Sequence, residues 1–220
     1  MEIAPRVHAV NLLGSTGFVI VEDELTLIDA GLRGSGRPLR RYLATLGRSQ
    51  GEIVRIVCTH GHPDHIGGVR EIAFGHDTEV LMHPADSAHL RIGFREVVRR
   101  PTPSRILAVL TRGPEDARPV NDGDVLPVLG GLQVVHTPGH TPGSICLYAP
   151  ALRLLFVGDM LQVLRGRLSF ASQFFSSDMA LARRSIAKLA ALDVETIAFA
   201  HFAPWRDDAR QALRLLAEVS

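Results

Sequence analysis

Cys58-Thr59-His60-Gly61-His62-Pro63-Asp64-His65-Ile66-Gly67-Gly68, or CTHGHPDHIGG, places three histidines and an aspartate within six consecutive positions: His60, His62, Asp64 and His65. The apolar, β-branched run Ile53 to Cys58 precedes it and reads as a strand buried on both faces. Gly61 permits a tight backbone between His60 and His62. Pro63 suits the first position of a helix and His62 its cap, so Asp64 and His65 fall in the first helical turn. A strand end and a helix start thus converge on one point. Imidazole suits zinc and iron and carboxylate widens the choice, so this spacing outlines a metal site.

Upstream, Val7 to Leu13, Gly17 to Val21 and Leu25 to Ile28 read as strands joined by turns at Gly14-Ser15 and Glu22-Asp23-Glu24. Asp29 ends the third, and an amphipathic stretch from about Pro38 to Leu46 reads as a helix. Downstream, helical periodicity runs to about Phe74, with Gly67 and Gly68 inside it as poor helix formers. Close packing beside the site would explain those glycines. Glu79 to Met82 reads as a strand and Pro84 to about Val98 as a helix.

From Arg99 to Asn121 four prolines interrupt the pattern, which suits either a lid over a cleft or a surface loop with one short helix, Ser104 to Leu110. Strands resume at Val125 to Leu129 and Leu132 to His136. The turn TPGHTPG then presents His140. Strands follow at Ile145 to Tyr148 and at Leu154 to Val157, the latter leading into Gly158-Asp159. A strand from Thr196 to Ala200 ends in His201, between helices at about Asp178 to Leu192 and Asp207 to Glu218. Each candidate ligand therefore sits just beyond a predicted strand, as sites do in layered α/β folds.

The whole chain bounds this reading. Its 220 residues, 46% hydrophobic and 21% charged, suit one globular domain, 1–220. A net charge of +1 gives no bulk attraction to nucleic acid or an anionic membrane, so neither is an expected partner. All the basic residues but Lys188 are arginine. The two cysteines, Cys58 and Cys146, lie in strand-like runs and read as buried free thiols. MEIAPRVHAVNLL lacks the basic and long apolar regions of an export signal, and no run reaches the roughly 18 apolar residues of a membrane span, so the cytoplasm is the expected location.

HGHPDH, then TPGHTPG, then GD, then a strand-final histidine resemble the ordered motifs of the metallo-β-lactamase superfamily, in particular its compact glyoxalase II-like and lactonase-like members. The resemblance implies an αββα sandwich of two mixed β-sheets flanked by helices. It also implies a binuclear centre. His60, His62 and His140 would hold one metal, Asp64, His65 and His201 the other, and Asp159 would bridge them, while Asp29 would orient a ligand. Two divalent ions per chain are expected, zinc first and iron or manganese as alternatives.

The activity implied is hydrolysis of an ester-like bond, a lactone or thioester in a small-molecule acyl substrate. A metal-bridging hydroxide would attack the acyl carbonyl, with Asp64 as the catalytic residue that orients it or moves a proton. Two other activities stay open: a mononuclear iron sulfur dioxygenase acting on a glutathione persulfide, and a promiscuous hydrolase with weak β-lactamase activity. The chain departs from the family pattern in having Phe202 after His201, where hydrolytic members commonly have glycine. It also lacks the tyrosine that follows the bridging aspartate in many acyl-homoserine lactonases.

Leu161 to Phe175 carries Leu164, Leu168, Phe170, Phe174 and Phe175, and suits equally an apolar wall for an acyl chain and packing of the core or a dimer contact. The oligomeric state expected is monomer or homodimer. His8, His76, His83, His89 and His136 lack the strand-end setting and read as structural or exposed.

Overall fold

The structure, a computed structural model, describes residues 1–89, 114 and 116–219. It divides into two compact units, Met1–Pro119 and Val120–Ser220.

In the first unit, β1 (Glu2–Ala4), β2 (Val7–Asn11), β3 (Thr16–Val21) and β4 (Leu25–Ile28) form an antiparallel meander, because two- to four-residue turns can only reverse the chain. After β4 the connections lengthen and carry helices, and the pairing becomes parallel. Helix α1 (Gly36–Thr45) leads to β5 (Ile53–Val57). Helices α2 (Pro63–Ile66) and α3 (Val69–Ala73) lead to β6 (Glu79–Met82), and α4 (Pro84–His89) begins the passage to β7 (Arg118–Pro119). The result is a mixed seven-stranded sheet in sequence order. Leu39 and Leu43, one turn apart on α1, are fully buried against Val19, Leu27 and Ile56. Each such leucine contributes roughly 1.5–3 kcal/mol.

The second unit holds a five-stranded mixed sheet of order β14-β11-β10-β9-β8 and a separate hairpin. Its strands are β8 (Val125–Leu126), β9 (Leu132–His136), β10 (Ile145–Ala149), β11 (Leu154–Phe156) and β14 (Thr196–Ala198), and the hairpin is β12 (Leu161–Leu164) with β13 (Arg167–Phe170). β14 lies parallel to β11 and the other pairs are antiparallel. Helices α5 (Met179–Ala190) and α6 (Ala209–Glu218) supply Ile186, Leu189, Leu213 and Leu216 to a core with Val135, Leu155 and Phe199.

Several sequence expectations change here. The helix read through Phe74 is two short helices broken at Gly67-Gly68. The Leu161–Phe175 stretch contains the hairpin, with Phe170 buried and Leu168 packed on the core, whereas Leu164, Phe174 and Phe175 are exposed. The helix expected from Pro84 is described only to His89, and the Arg99–Asn121 segment, with its Ser104–Leu110 helix, lies largely outside the described residues. No helix among the described residues is long and apolar enough to cross a membrane. Cys58 and Cys146 are buried free thiols. Burial pushes both thiols up, Cys58 further raised by Asp29 beside it and Cys146 to about 12.

Candidate metal centre

In the first unit the parallel strands β4, β5 and β6 are neighbours about 4.8 Å apart, so the residues leaving their carboxyl ends lie side by side. Ile28 pairs with Val57 and Val57 with Leu81. Asp29 therefore emerges beside Cys58-Thr59-His60, and His83 to Asp86 emerges beyond β6. His62 caps α2 with an extended backbone, Pro63 takes its first turn, and Asp64 and His65 follow as expected.

Asp29 is buried and accepts three hydrogen bonds: Thr59 N–H to Oδ1 at 2.8 Å, and the Thr59 hydroxyl and His65 Nδ1–H to Oδ2, each at 2.8 Å. A carboxylate only accepts, so His65 carries its proton on Nδ1 and its lone pair on Nε2. The Thr59 hydroxyl, having donated to Asp29, is placed to accept from His60 Nδ1 at 3.2 Å, which leaves the His60 lone pair on Nε2 as well. The His60 ring centroid lies 4.7 Å from that of His62 and 4.0 Å from that of His65. His65 Nε2 stands 3.7 Å from Asp64 Oδ2, and the Asp64 carbonyl accepts from the Ser15 hydroxyl.

One acid absent from the sequence reading completes this unit. Asp86, 1% exposed on α4, accepts the Gly61 N–H on Oδ2 at 2.7 Å and so holds the peptide between His60 and His62. Like Asp29 it follows a strand of the parallel set, but at three residues' remove.

The second unit is built by the same logic. β11 and β14 are parallel with Phe156 opposite Ala198, and Asp159 and His201 each lie three residues further on. Asp159 Oδ1 is 3.2 Å from His201 Nε2, while its Oδ2 is 3.6 Å from His140 Nε2. One carboxylate thus turns its two oxygens to two different imidazoles.

His140 sits on the β9–β10 turn. The turn is closed by Thr137 N–H to the Ser144 carbonyl at 2.9 Å and Thr141 N–H to the Ser144 hydroxyl at 2.9 Å. Gly139 adopts φ +140° with Ala182 so close that a Cβ would lie 2.3 Å from its nitrogen. The Ser176 hydroxyl, also unforeseen, donates to the Ser172 carbonyl at 2.8 Å and faces His140 Nδ1 at 3.3 Å, again leaving the lone pair on Nε2.

A lone pair and a carboxylate oxygen facing each other at 3.6–3.7 Å repel unless a cation lies between them. Imidazole and carboxylate are also the ligands that zinc, iron and manganese accept. The donor set therefore fits divalent metal, and His60, His62, Asp64, His65, His140, Asp159 and His201 all belong to groups that could hold such ions. Among the other described histidines His76 is exposed, and three are engaged elsewhere. His8 Nδ1 meets the Tyr42 hydroxyl, His83 Nδ1 accepts from Ala85 N–H, and His136 Nε2 meets the Pro142 carbonyl. The His89 side chain lies outside the described residues.

A model of the metallo-beta-lactamase superfamily matches residues 10–201, through both units. The chain belongs to the metallo-β-lactamase superfamily. Its fold is the metallo-β-lactamase fold, α/β with mixed sheets and flanking helices, as expected. Solved members of this fold include a metallo-beta-lactamase family protein from Thermus thermophilus, with a TM-score of 0.77 at 24% identity, covering 99% of this chain and 80% of that one. The Rm3 metallo-beta-lactamase follows at a TM-score of 0.72 and 21% identity, covering 100% and 89%.

Among curated superfamily relatives, the probable metallo-hydrolase YflN of Bacillus subtilis is 29% identical over 92% of this chain and 86% of its own length. The acyl-coenzyme A thioesterase MBLAC2 of Gallus gallus is 38% identical over 47% of this chain and 40% of that protein. An uncharacterized Aquifex aeolicus protein is 38% identical over half of each chain. The matched segments thus span half or less of the length of the last two relatives.

Proposed function

We propose that this protein is a binuclear metal-dependent hydrolase of ester-like acyl bonds, in lactones or thioesters, with the whole chain acting as one catalytic domain. His60, His62 and His140 would hold one ion and Asp64, His65 and His201 the other, with Asp159 shared between them. The observation that carries the reading is the Asp159 carboxylate, one oxygen turned to His140 Nε2 and the other to His201 Nε2, with the His140 tautomer set by Ser176. Superfamily membership and the partial match to an acyl-coenzyme A thioesterase support it further.

Bound zinc would supply Lewis acidity for the carbonyl and lower the pKa of bound water to about 7, providing hydroxide at neutral pH. The chain's own residues do the rest. Asp29, Thr59 and Ser176 fix which nitrogen of His65, His60 and His140 donates, so the ligands need no rearrangement. Asp64 is 26% exposed in its side chain, the arrangement needed to orient a water or take its proton.

The test is metal quantification of the purified protein with a screen of lactones, thioesters, β-lactams and phosphodiesters. Two zinc-class ions per chain and turnover of an acyl ester or thioester are expected, with both lost in His62→Ala and Asp159→Ala. One iron per chain with oxygen uptake on glutathione persulfide, or full turnover by metal-depleted Asp159→Ala, would overturn the reading.

A further inference from the structure

The second unit has six phenylalanines, and they fall into two sets. Phe156, Phe170 and Phe199 are buried in its core, whereas Phe174, Phe175 and Phe202 are 72%, 54% and 37% exposed. Every exposed one lies next to a metal-ligand candidate or to the hydroxyl that orients one. Phe202 follows His201 directly and touches Phe199 edge to face. Phe174 and Phe175 pack edge to face at 5.0 Å and immediately precede Ser176, whose hydroxyl meets His140 Nδ1. This segment is pinned to the His140 turn, because Ser177 N–H bonds the His140 carbonyl and Asp178 N–H the Gly139 carbonyl, each at 2.9 Å.

Leaving three large rings in water forgoes the burial that the other three achieve, and the cost is offset where a ligand covers them. In the first unit one exposed leucine stands near a ligand candidate, while Phe74, 82% exposed, stands beside none in sequence. Leu13 and Leu32 are exposed, and the Leu32 side chain and Asp64 Cβ both come within 3 Å of where a Gly14 Cβ would stand. Polar or charged substrate groups would gain nothing from such surfaces, whereas an alkyl chain would.

We propose that Phe174, Phe175 and Phe202 bind the apolar acyl portion of the substrate, so that the preferred substrate carries a medium-length alkyl chain rather than an acetyl group. This rests on the acyl-hydrolase reading above. Full burial of a methylene corresponds to about fourfold in affinity, and an exposed ring face supplies roughly half of that free energy, about twofold per methylene.

The metal-loaded native protein is compared with Phe174→Ala/Phe175→Ala and with Phe202→Ala. Metal content and circular dichroism check each variant, and the high exposure of Phe174 and Phe175 removes the risk to folding in the double variant. The kcat/KM ratio of hexanoyl to acetyl thioester is expected to be at least about tenfold in the native protein and under about threefold in the double variant. An unchanged ratio in the double variant overturns the proposal, as does a native protein without chain-length preference.

Calorimetry of decanoate against acetate gives a second readout that needs no turnover. If no acyl compound is hydrolysed, the hydrolase reading fails, while tighter decanoate binding that is lost in the double variant still upholds the apolar site. Equal decanoate binding by both proteins sinks it. An unchanged preference accompanied by loss of a dimer would assign the rings to a second copy of the chain and likewise overturn the proposal.

Discussion

Asp29 and Asp86 act on the His60–His65 turn from the strands on either side of β5, one through side chains and the other through backbone. Asp29 sets the proton position of His65, and Asp86 holds the Gly61 peptide. Asp29 was legible because it follows its strand directly. Asp86 was not, because three residues separate it from β6 and only the parallel pairing of β6 with β5 brings it to Gly61. Asp86→Ala is expected to weaken zinc binding by about 10- to 100-fold. Asp86→Asn keeps an acceptor oxygen and should retain most of the affinity. Competition with a chelating dye measures both, and equal affinity of Asp86→Ala and the native protein would remove Asp86 from the site's support.

At the level of elements, most boundaries were readable from period and punctuation, and the exceptions have physical causes. The break between α2 and α3 comes from a tertiary contact. A Cβ on Gly68 would lie 2.2 Å from the Ala30 carbonyl oxygen, and one on Gly67 would lie 2.5 Å from the Pro63 carbonyl oxygen. The chain after β4 is pressed against these turns, with Ala30 N–H bonded to the His65 carbonyl at 2.7 Å and Gly68 N–H to the Gly31 carbonyl at 2.9 Å. Close packing is therefore why both glycines are there. Gly68→Ala is expected to cost about 1–3 kcal/mol, read as a lower urea midpoint at unchanged slope. An unshifted midpoint would mean that the Ala30 strand end yields. The β12–β13 hairpin escaped the sequence reading for a different reason. Its turn, Arg165-Gly166, has positive φ at both residues, 50° and 73°, a geometry that Asn-Gly or Asp-Gly would have signalled and arginine hides.

At the level of the whole molecule, the proposed metal binding draws on residues spread along the chain. Four candidates come from Met1–Pro119 and three from Val120–Ser220. Metal binding by residues from both should appear in global stability, since a ligand that binds only the folded state stabilises it by about 2.7 kcal/mol at a hundred times its Kd. Zinc added to chelator-treated protein is expected to raise the thermal midpoint, and Asp159→Ala should abolish most of the rise. A midpoint that ignores zinc, or a rise that Asp159→Ala leaves intact, would contradict the shared centre.

The amino-acid sequence by itself determined the family and picked out the seven candidate donors, because His-X-His-X-Asp-His, a turn histidine, a strand-end aspartate and a strand-end histidine are local patterns carried by spacing and punctuation. Tertiary structure alone decided what surrounds them. Asp86 reaches Gly61, Ser176 sets the tautomer of His140, Gly68 admits the Ala30 carbonyl, and Phe174 and Phe175 stay exposed while Phe170 is buried. Except for the exposure of Phe174 and Phe175, these facts join segments distant in sequence through pairing register and close packing, and periodicity within a segment carries no information about which distant segment it will meet.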